Sequence, residues 1–207
     1  NEFGADTLRM YEMFIGDFEK AVPWSYNGIK GCRRFLDRVW RLQNFLVDGE
    51  EYSKELETSM HRTIKKVSED FENLKFNTAI AAMMSLVNDF YSKERVNKAE
   101  FRTFLTLLNP VAPHITEELW EVAGFPGMLH NQKWPEWDES KTVEDQVEIA
   151  IQINGKVRER ITIPSGLDKQ ETENAVMKDS KVCALIEGKN IIKVIAVPGK
   201  LVNIVVK

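Results

Sequence analysis

Residues 147–163 read VEIAIQINGKVRERITI, with apolar side chains at Val147, Ile149, Ile151 and Ile153, and again at Val157, Ile161 and Ile163 beyond Asn154-Gly155. A period of two belongs to β-strands with one buried face. An Asn-Gly pair between two such runs normally signals a two-residue hairpin turn. That register would set Ile153 opposite Lys156 and Ile151 opposite Arg158, leaving the two apolar rows on opposite faces. A one-residue bulge or a three-residue loop pairs apolar with apolar instead, for example Ile153 with Val157 and Ile149 with Ile161. The spacing therefore predicts an odd-length loop, with Lys156, Arg158 and Arg160 sharing the outward face.

Downstream, Pro164 and Gly166 end the hairpin, and Asp168 with Glu171 forms a capping-box start for a helix to about Lys178. A second short helix carries Val182, Leu185 and Ile186 to Gly188, and Ile191–Val197 and Leu201–Val206 flank a Pro198-Gly199-Lys200 turn. The order is β-β-α-α-β-β, a small sheet with helices on one face.

Upstream the period is that of helices. The first is predicted from about Asp6 to Ile15, and a second, capped by Asn27, runs toward Gly49 with Cys32, Phe35, Leu36 and Val39 on its inner stripe. In the third, Leu56, Met60, Ile64, Val67, Phe71 and Leu74 recur at steps of three and four. Asn77 is read as the cap of the fourth, the fifth covers about 97–108, and Pro113 opens a sixth that stops at Gly124. Helices joined by short turns pack as an antiparallel bundle. The fold class is thus mainly α: a bundle over 1–124, a surface-packed linker over 125–145, and a small α+β domain over 146–207.

The 43% apolar and 29% charged residues are those of a soluble globular chain, and no apolar run is long enough to span a bilayer. The first residue, Asn1, is not Met, which suggests a piece of a longer protein. Cys32 and Cys183 lie in apolar stretches and are read as buried free thiols; with three histidines they leave little for a metal site, and none is expected. The net charge of −4 is uneven: residues 146–207 hold ten Lys/Arg against seven Asp/Glu, so residues 1–145 carry −7. The second part is therefore the better placed to meet phosphates.

No Walker loop, G-x-G-x-x-G, H-E-x-x-H or G-x-S-x-G occurs, so no catalytic residue is assigned. His61 reads as a solvated mid-helix residue, His114 as a hydrogen-bonding group at a helix start, and His130 has no assigned role. The pairs Glu50-Glu51 and Glu117-Glu118 read as dipole-complementing surface charges. Trp40 and Trp120 fall in apolar stripes and are expected in the core. Two basic clusters stand out. Arg34, Arg38 and Arg41, beside Arg33, form a stripe on the second helix, and Lys156, Arg158 and Arg160 sit on the hairpin, with Lys189, Lys193 and Lys200 near them. Cations on a rigid sheet suit phosphate contacts, which fix position without reading bases.

Several stretches resemble the class I aminoacyl-tRNA synthetases. Gly4-Ala5-Asp6-Thr7-Leu8-Arg9 is similar to the segment that follows their signature lysine loop, and Asn109-Pro110 with Pro113-His114-Ile115-Thr116-Glu117-Glu118-Leu119-Trp120 to the end of their helical anticodon-binding domain. Arg34-Phe35-Leu36, Arg38-Val39-Trp40, Phe76–Ile80, Ile153–Arg158 and Val197–Asn203 resemble the bacterial-type leucyl enzymes. The likeness runs from Gly4 to the last residue. It implies a cytoplasmic, monomeric enzyme that joins leucine to leucine-specific tRNA with ATP and magnesium. The His-Ile-Gly-His and Lys-Met-Ser-Lys-Ser signatures of the catalytic domain are absent, so no cofactor is expected on this chain. The resemblance implies tRNA contacts at Lys156, Arg158 and Lys200; the face argument adds Arg160 and Lys193, and the helical stripe adds Arg34, Arg38 and Arg41. The alternative is a protein-interaction module, a bundle with a docking domain and no nucleic-acid partner, which the acidic balance of residues 1–145 favours.

Overall fold

The computed structural model describes residues 2–16, 21–143 and 146–207. Their contacts divide the chain into two compact units, Asn1–Thr142 and Val143–Lys207. Residues 125–142 belong with the helices of the first unit, and Glu144 and Asp145, the end of the expected linker, lie outside the described residues.

The first unit contains α1 (Ala5–Phe14), α2 (Tyr26–Arg41), β1 (Leu46–Val47), α3 (Glu57–Glu72), α4 (Phe76–Lys93), β2 (Val96–Asn97), α5 (Lys98–Leu108) and α6 (Pro113–Val122). Two helix starts differ from the sequence expectation. Ser25, not Asn27, caps α2: its hydroxyl accepts from Gly28 N–H, while its own N–H donates to the Tyr11 hydroxyl. Helix α4 begins at Phe76, so Asn77 lies inside its first turn and is not its cap. At α5 the cap is reciprocal. Asn97 accepts from Glu100 N–H and Glu100 accepts from Asn97 N–H. The buried Glu100 carboxylate also takes the backbone and hydroxyl of Ser53, which fastens the preceding loop to this helix start.

The inner stripes meet in one core around Met60, Ile64, Phe90, Phe101, Phe104 and Trp120. Trp120 is inside as expected, but Trp40 is 40% exposed, because its position turns it out beside the arginines of α2. Residues 134–142 run along α3. Trp134 donates to Ser68 Oγ at 2.7 Å, Asp138 N–H donates to His61 Nδ1 at 3.0 Å, and Lys65–Glu139 and Lys141–Glu57 pair at 2.5 and 2.6 Å. His61 is therefore buried, contrary to its reading as a solvated residue: the segment covering it comes from 77 residues away, where helical periodicity carries no information.

The second unit holds β3 (Gln146–Ile153), β4 (Lys156–Pro164), α7 (Lys169–Lys178), α8 (Ser180–Ile186), β5 (Ile191–Val197) and β6 (Leu201–Val206). The strand order is β4-β3-β6-β5, with β3 and β6 parallel and the other pairs antiparallel. The capping box of Asp168 and Glu171 starts α7. Ile149, Ile151, Ile161, Ile163, Val202 and Ile204 pack with Val176 and Val182 of the helices. Their alternation leaves Ala150, Gln152, Arg160, Lys193, Ile195, Leu201 and Asn203 on the opposite, open face. Cys183 is exposed and Cys32 buried, both free, so the expectation of two buried thiols fails at α8, a helix of seven residues with Val182 as its buried residue.

Candidate nucleic-acid interface

The hairpin tip departs from the sequence reading in an informative way. Asn154 and Gly155 have φ of +50° and +79°, the mirror-image turn whose twist matches the flanking strands. Ile153 pairs with Lys156 across it, so the loop has two residues and not an odd number. The register correction comes later. Gln152 pairs with Val157 and Ile151 with Glu159, which makes Arg158 the extra residue of a bulge; beyond it Ile149 meets Ile161 and Val147 meets Ile163. The apolar match is restored beyond the bulge, from Ile149 opposite Ile161 onward, so the local preference of Asn-Gly and the demand for a buried row are both met.

This register separates cations that were expected to share a face. Lys156 lies opposite Ile153 of the helix-covered row, Arg160 lies opposite Ala150 of the open row, and Arg158 occupies the bulge between them. All three are exposed. Arg160 pairs with Glu148 at 3.1 Å. Lys156 and Arg158 have no partner among the described residues. Lys193 pairs with Val205 on the open face, level with the hairpin tip, and about three strand spacings, roughly 14 Å, from Lys156. Lys200 precedes Leu201, which pairs with Ala150, so it sits about 13 Å lower along the strands than Lys156. Lys189 donates to the Leu185 carbonyl and closes the end of α8.

On α2 the structure sorts the arginine stripe. Arg38 lies over the Tyr91 ring at 4.5 Å, while the Tyr91 hydroxyl donates to the Arg38 carbonyl, so this side chain is half-buried in packing. Arg33 pairs with Asp37 at 2.9 Å. Arg34 and Arg41 are exposed and without a partner among the described residues, and Lys30 joins them at a four-residue step on the same helix face. The sequence reading missed Lys30, although its spacing to Arg34 would have found it.

The remaining polar groups are structural. Asp6 of α1 accepts from the backbone N–H groups of His114 and Ile115 at 3.3 and 2.7 Å, and its carboxylate meets His114 Nδ1 at 2.7 Å. Glu117 is not a simple surface charge: it accepts from Leu129 and His130 N–H and touches the His130 ring at 2.7 Å. Burial pushes the Glu117 carboxyl upward, but these donors outweigh it and hold the group below its ordinary range. Burial, then the nearby Lys141, lowers the pKa of His61, which keeps Nδ1 free to accept from Asp138. Among the described residues no three His, Cys, Asp or Glu side chains are placed to hold a metal ion, and no helix is long and apolar enough to cross a membrane.

The chain thus presents a helical unit and, after it in the sequence, a small sheet with an exposed basic tip. Residues 53–173, more than half of the chain, match the anticodon-binding domain of tRNA ligase, and the chain belongs to that family. Within it, the chain is 62% identical over 206 residues to a leucine–tRNA ligase of Alkaliphilus oremlandii (strain OhILAs), spanning all of this chain and 26% of that protein. It also superposes over its full length on 29% of the AgnB2 LeuRS chain of Agrobacterium radiobacter K84, solved in a ternary complex with tRNA and LeuAMS, with a TM-score of 0.69 and 29% identity.

Proposed function

We propose that this chain is the tRNA-binding and tRNA-positioning part of a leucine–tRNA ligase, and that the whole enzyme joins leucine to its tRNA with ATP and magnesium. The observation that carries the reading is the 62% identity to such a ligase along the full chain. The exposed cations of the hairpin tip and of α2 agree with it. The sequence carries no glycine-rich phosphate loop, so this reading assigns neither ATP nor magnesium to this chain. Both belong, in this reading, to a catalytic domain outside this chain. The reading also takes the enzyme to be cytoplasmic and monomeric.

The mechanism is positioning. Lys156, Arg158, Lys193 and Lys200, with Arg34 and Arg41, hold the tRNA backbone so that its acceptor end reaches an active site elsewhere. Placement matters because a displacement of about 1 Å at the reacting groups can slow a reaction about a hundredfold. The test is a titration of the chain with leucine-specific and unrelated tRNA at several salt concentrations. Affinity for the cognate tRNA is expected to fall with salt, with a slope of about −0.9 per duplex phosphate neutralised. Absence of binding at low salt overturns the reading in favour of a protein-interaction module, which the charge of −7 on residues 1–145 supports.

A further inference from the structure

We propose that Asn203 is a positioning residue for the cationic hairpin tip: its side chain sets where Lys156 and Arg158 stand, and so how the tRNA backbone is gripped. The inference rests on the tRNA-binding reading above. Asn203 lies on β6, on the open face of the sheet, level with Gln152 of β3 and Ile195 of β5. Its Oδ1 accepts the backbone N–H of Gly155 at 3.0 Å, in the turn immediately before Lys156. The same tip is tied to β6 by three bonds of Asn154. Its N–H donates to the Ile204 carbonyl, its Nδ2 donates to the Val206 carbonyl at 3.1 Å, and its Oδ1 accepts Val206 N–H at 2.9 Å.

Asparagine is a poor strand residue, and its neighbours on the open face of β6, Leu201 and Val205, are of strand-forming or apolar type. The helix-covered row of β6 is Val202 and Ile204, so Asn203 adds nothing to the core beneath α7 and α8. What it adds is the fourth bond to the tip. A two-residue turn followed at once by a bulge is a hinge-like arrangement, because the ladder is interrupted at Arg158, three residues past Gly155. With Gly155 fastened to β6, the tip moves as one body with the strand that begins beside Lys200 and pairs with the strand carrying Lys193. Without it, Gly155 N–H turns to water and the tip pivots about Asn154. A grip on successive phosphates needs its cations held at fixed spacing, by bonds outside the contacts themselves.

The experiment compares wild type, Asn203→Val and Asn203→Ser, each with and without Lys156→Ala, in binding of leucine-specific tRNA at fixed salt. Valine suits a strand and cannot accept a hydrogen bond; serine retains a shorter acceptor. Asn203→Val is expected to weaken binding about fivefold and to shrink the Lys156→Ala penalty to less than about twofold, since coupled residues do not act additively. Asn203→Ser is expected to fall between the two. Hydrogen exchange at the Gly155 amide should quicken about tenfold or more in Asn203→Val, with the melting temperature unchanged to within about 2 °C. The inference is overturned if the Gly155 amide is freed while binding and the Lys156→Ala penalty stay at wild-type values. It is overturned also if Asn203→Val and Asn203→Ser both unfold the sheet, which would make Asn203 a fold residue. Failure of the tRNA reading looks different: wild type itself does not bind, or Lys156→Ala changes nothing in any background.

Discussion

Replacing Asp6 by alanine should destabilise the helical unit by about 3 kcal/mol, though Asp6 lies in a helix 108 residues from the groups it serves. Helix α6 begins with Pro113, which has no N–H, and its N-cap residue Ala112 has no side-chain acceptor. The two orphan donors that follow, His114 N–H and Ile115 N–H, are taken by the Asp6 carboxylate, which is 8% exposed. Loss of an N-cap acceptor costs about 0.5–2 kcal/mol. Each buried donor left unsatisfied costs about 1–3 kcal/mol, less where water can enter. The His114 ring adds little, because it is 74% exposed and its pairing is screened. At roughly 3–4 °C per kcal/mol for a unit of this size, Asp6→Ala should lower its melting temperature by about 10 °C, and Asp6→Asn by about half as much. All five tryptophans precede residue 143, so tryptophan fluorescence during urea or thermal unfolding reads this unit alone. The reasoning is refuted if Asp6→Ala loses less than about 0.5 kcal/mol, or if His114→Ala loses as much as Asp6→Ala, which would place the stabilisation in the ring contact instead of the cap.

On the proposed function, charge reversal at Lys156 or Arg158 in a full-length ligase should reduce aminoacylation about tenfold without changing leucine activation, whereas Arg160→Ala, whose guanidinium already meets Glu148, should cost less than about threefold; paired activation and aminoacylation assays decide this. Because burial lowers the pKa of His61 below its ordinary 6.5, the unfolded chain takes up the proton first as pH falls. The contribution of His61 is therefore intact above about pH 6.5 and is lost as pH drops toward its folded pKa, so the protection of the amides of residues 134–142, taken relative to their intrinsic exchange rate at each pH, should be weaker at pH 5 than at pH 7.5, and His61→Phe should remove most of that dependence. A disulfide-exchange thiol assay should find one reactive cysteine in the native chain and two after denaturation: Cys183 is exposed, while burial pushes the Cys32 thiol up to about 11.

The periodicities of the chain translated into structure with errors of a residue or two, except at α2, which stops at Arg41 instead of running toward Gly49 and gives way to a short 3-10 turn and β1. The three-four steps from Leu56 to Phe71 became α3, and the Asp168–Glu171 pair became the cap of α7. Some failures were local, as at Asn77 and Lys30, but in the larger ones the deciding partner was remote. Ser25 displaced Asn27 as a cap because the Tyr11 hydroxyl receives its N–H, and His61 was covered by Asp138. Arg38 looked like a surface cation and is held over Tyr91, 53 residues later. Of the candidate interface, the residue types and their concentration near Asn154-Gly155 were legible, but their faces were not.

By itself, then, the sequence determined most of what depends on neighbours within a helical turn or along a strand: two periodic regions, their order, the turn residues, and the family that these motifs mark. The tertiary structure decided whatever depended on which segments meet. It placed the register correction at Arg158 instead of in the loop, brought Asn203 to Gly155, and supplied Asp6 as the cap of a helix more than a hundred residues away. The physical reason is common to all three. A backbone N–H or a buried row must find a partner, and composition states that the need exists, while the satisfying group is chosen only when the chain packs.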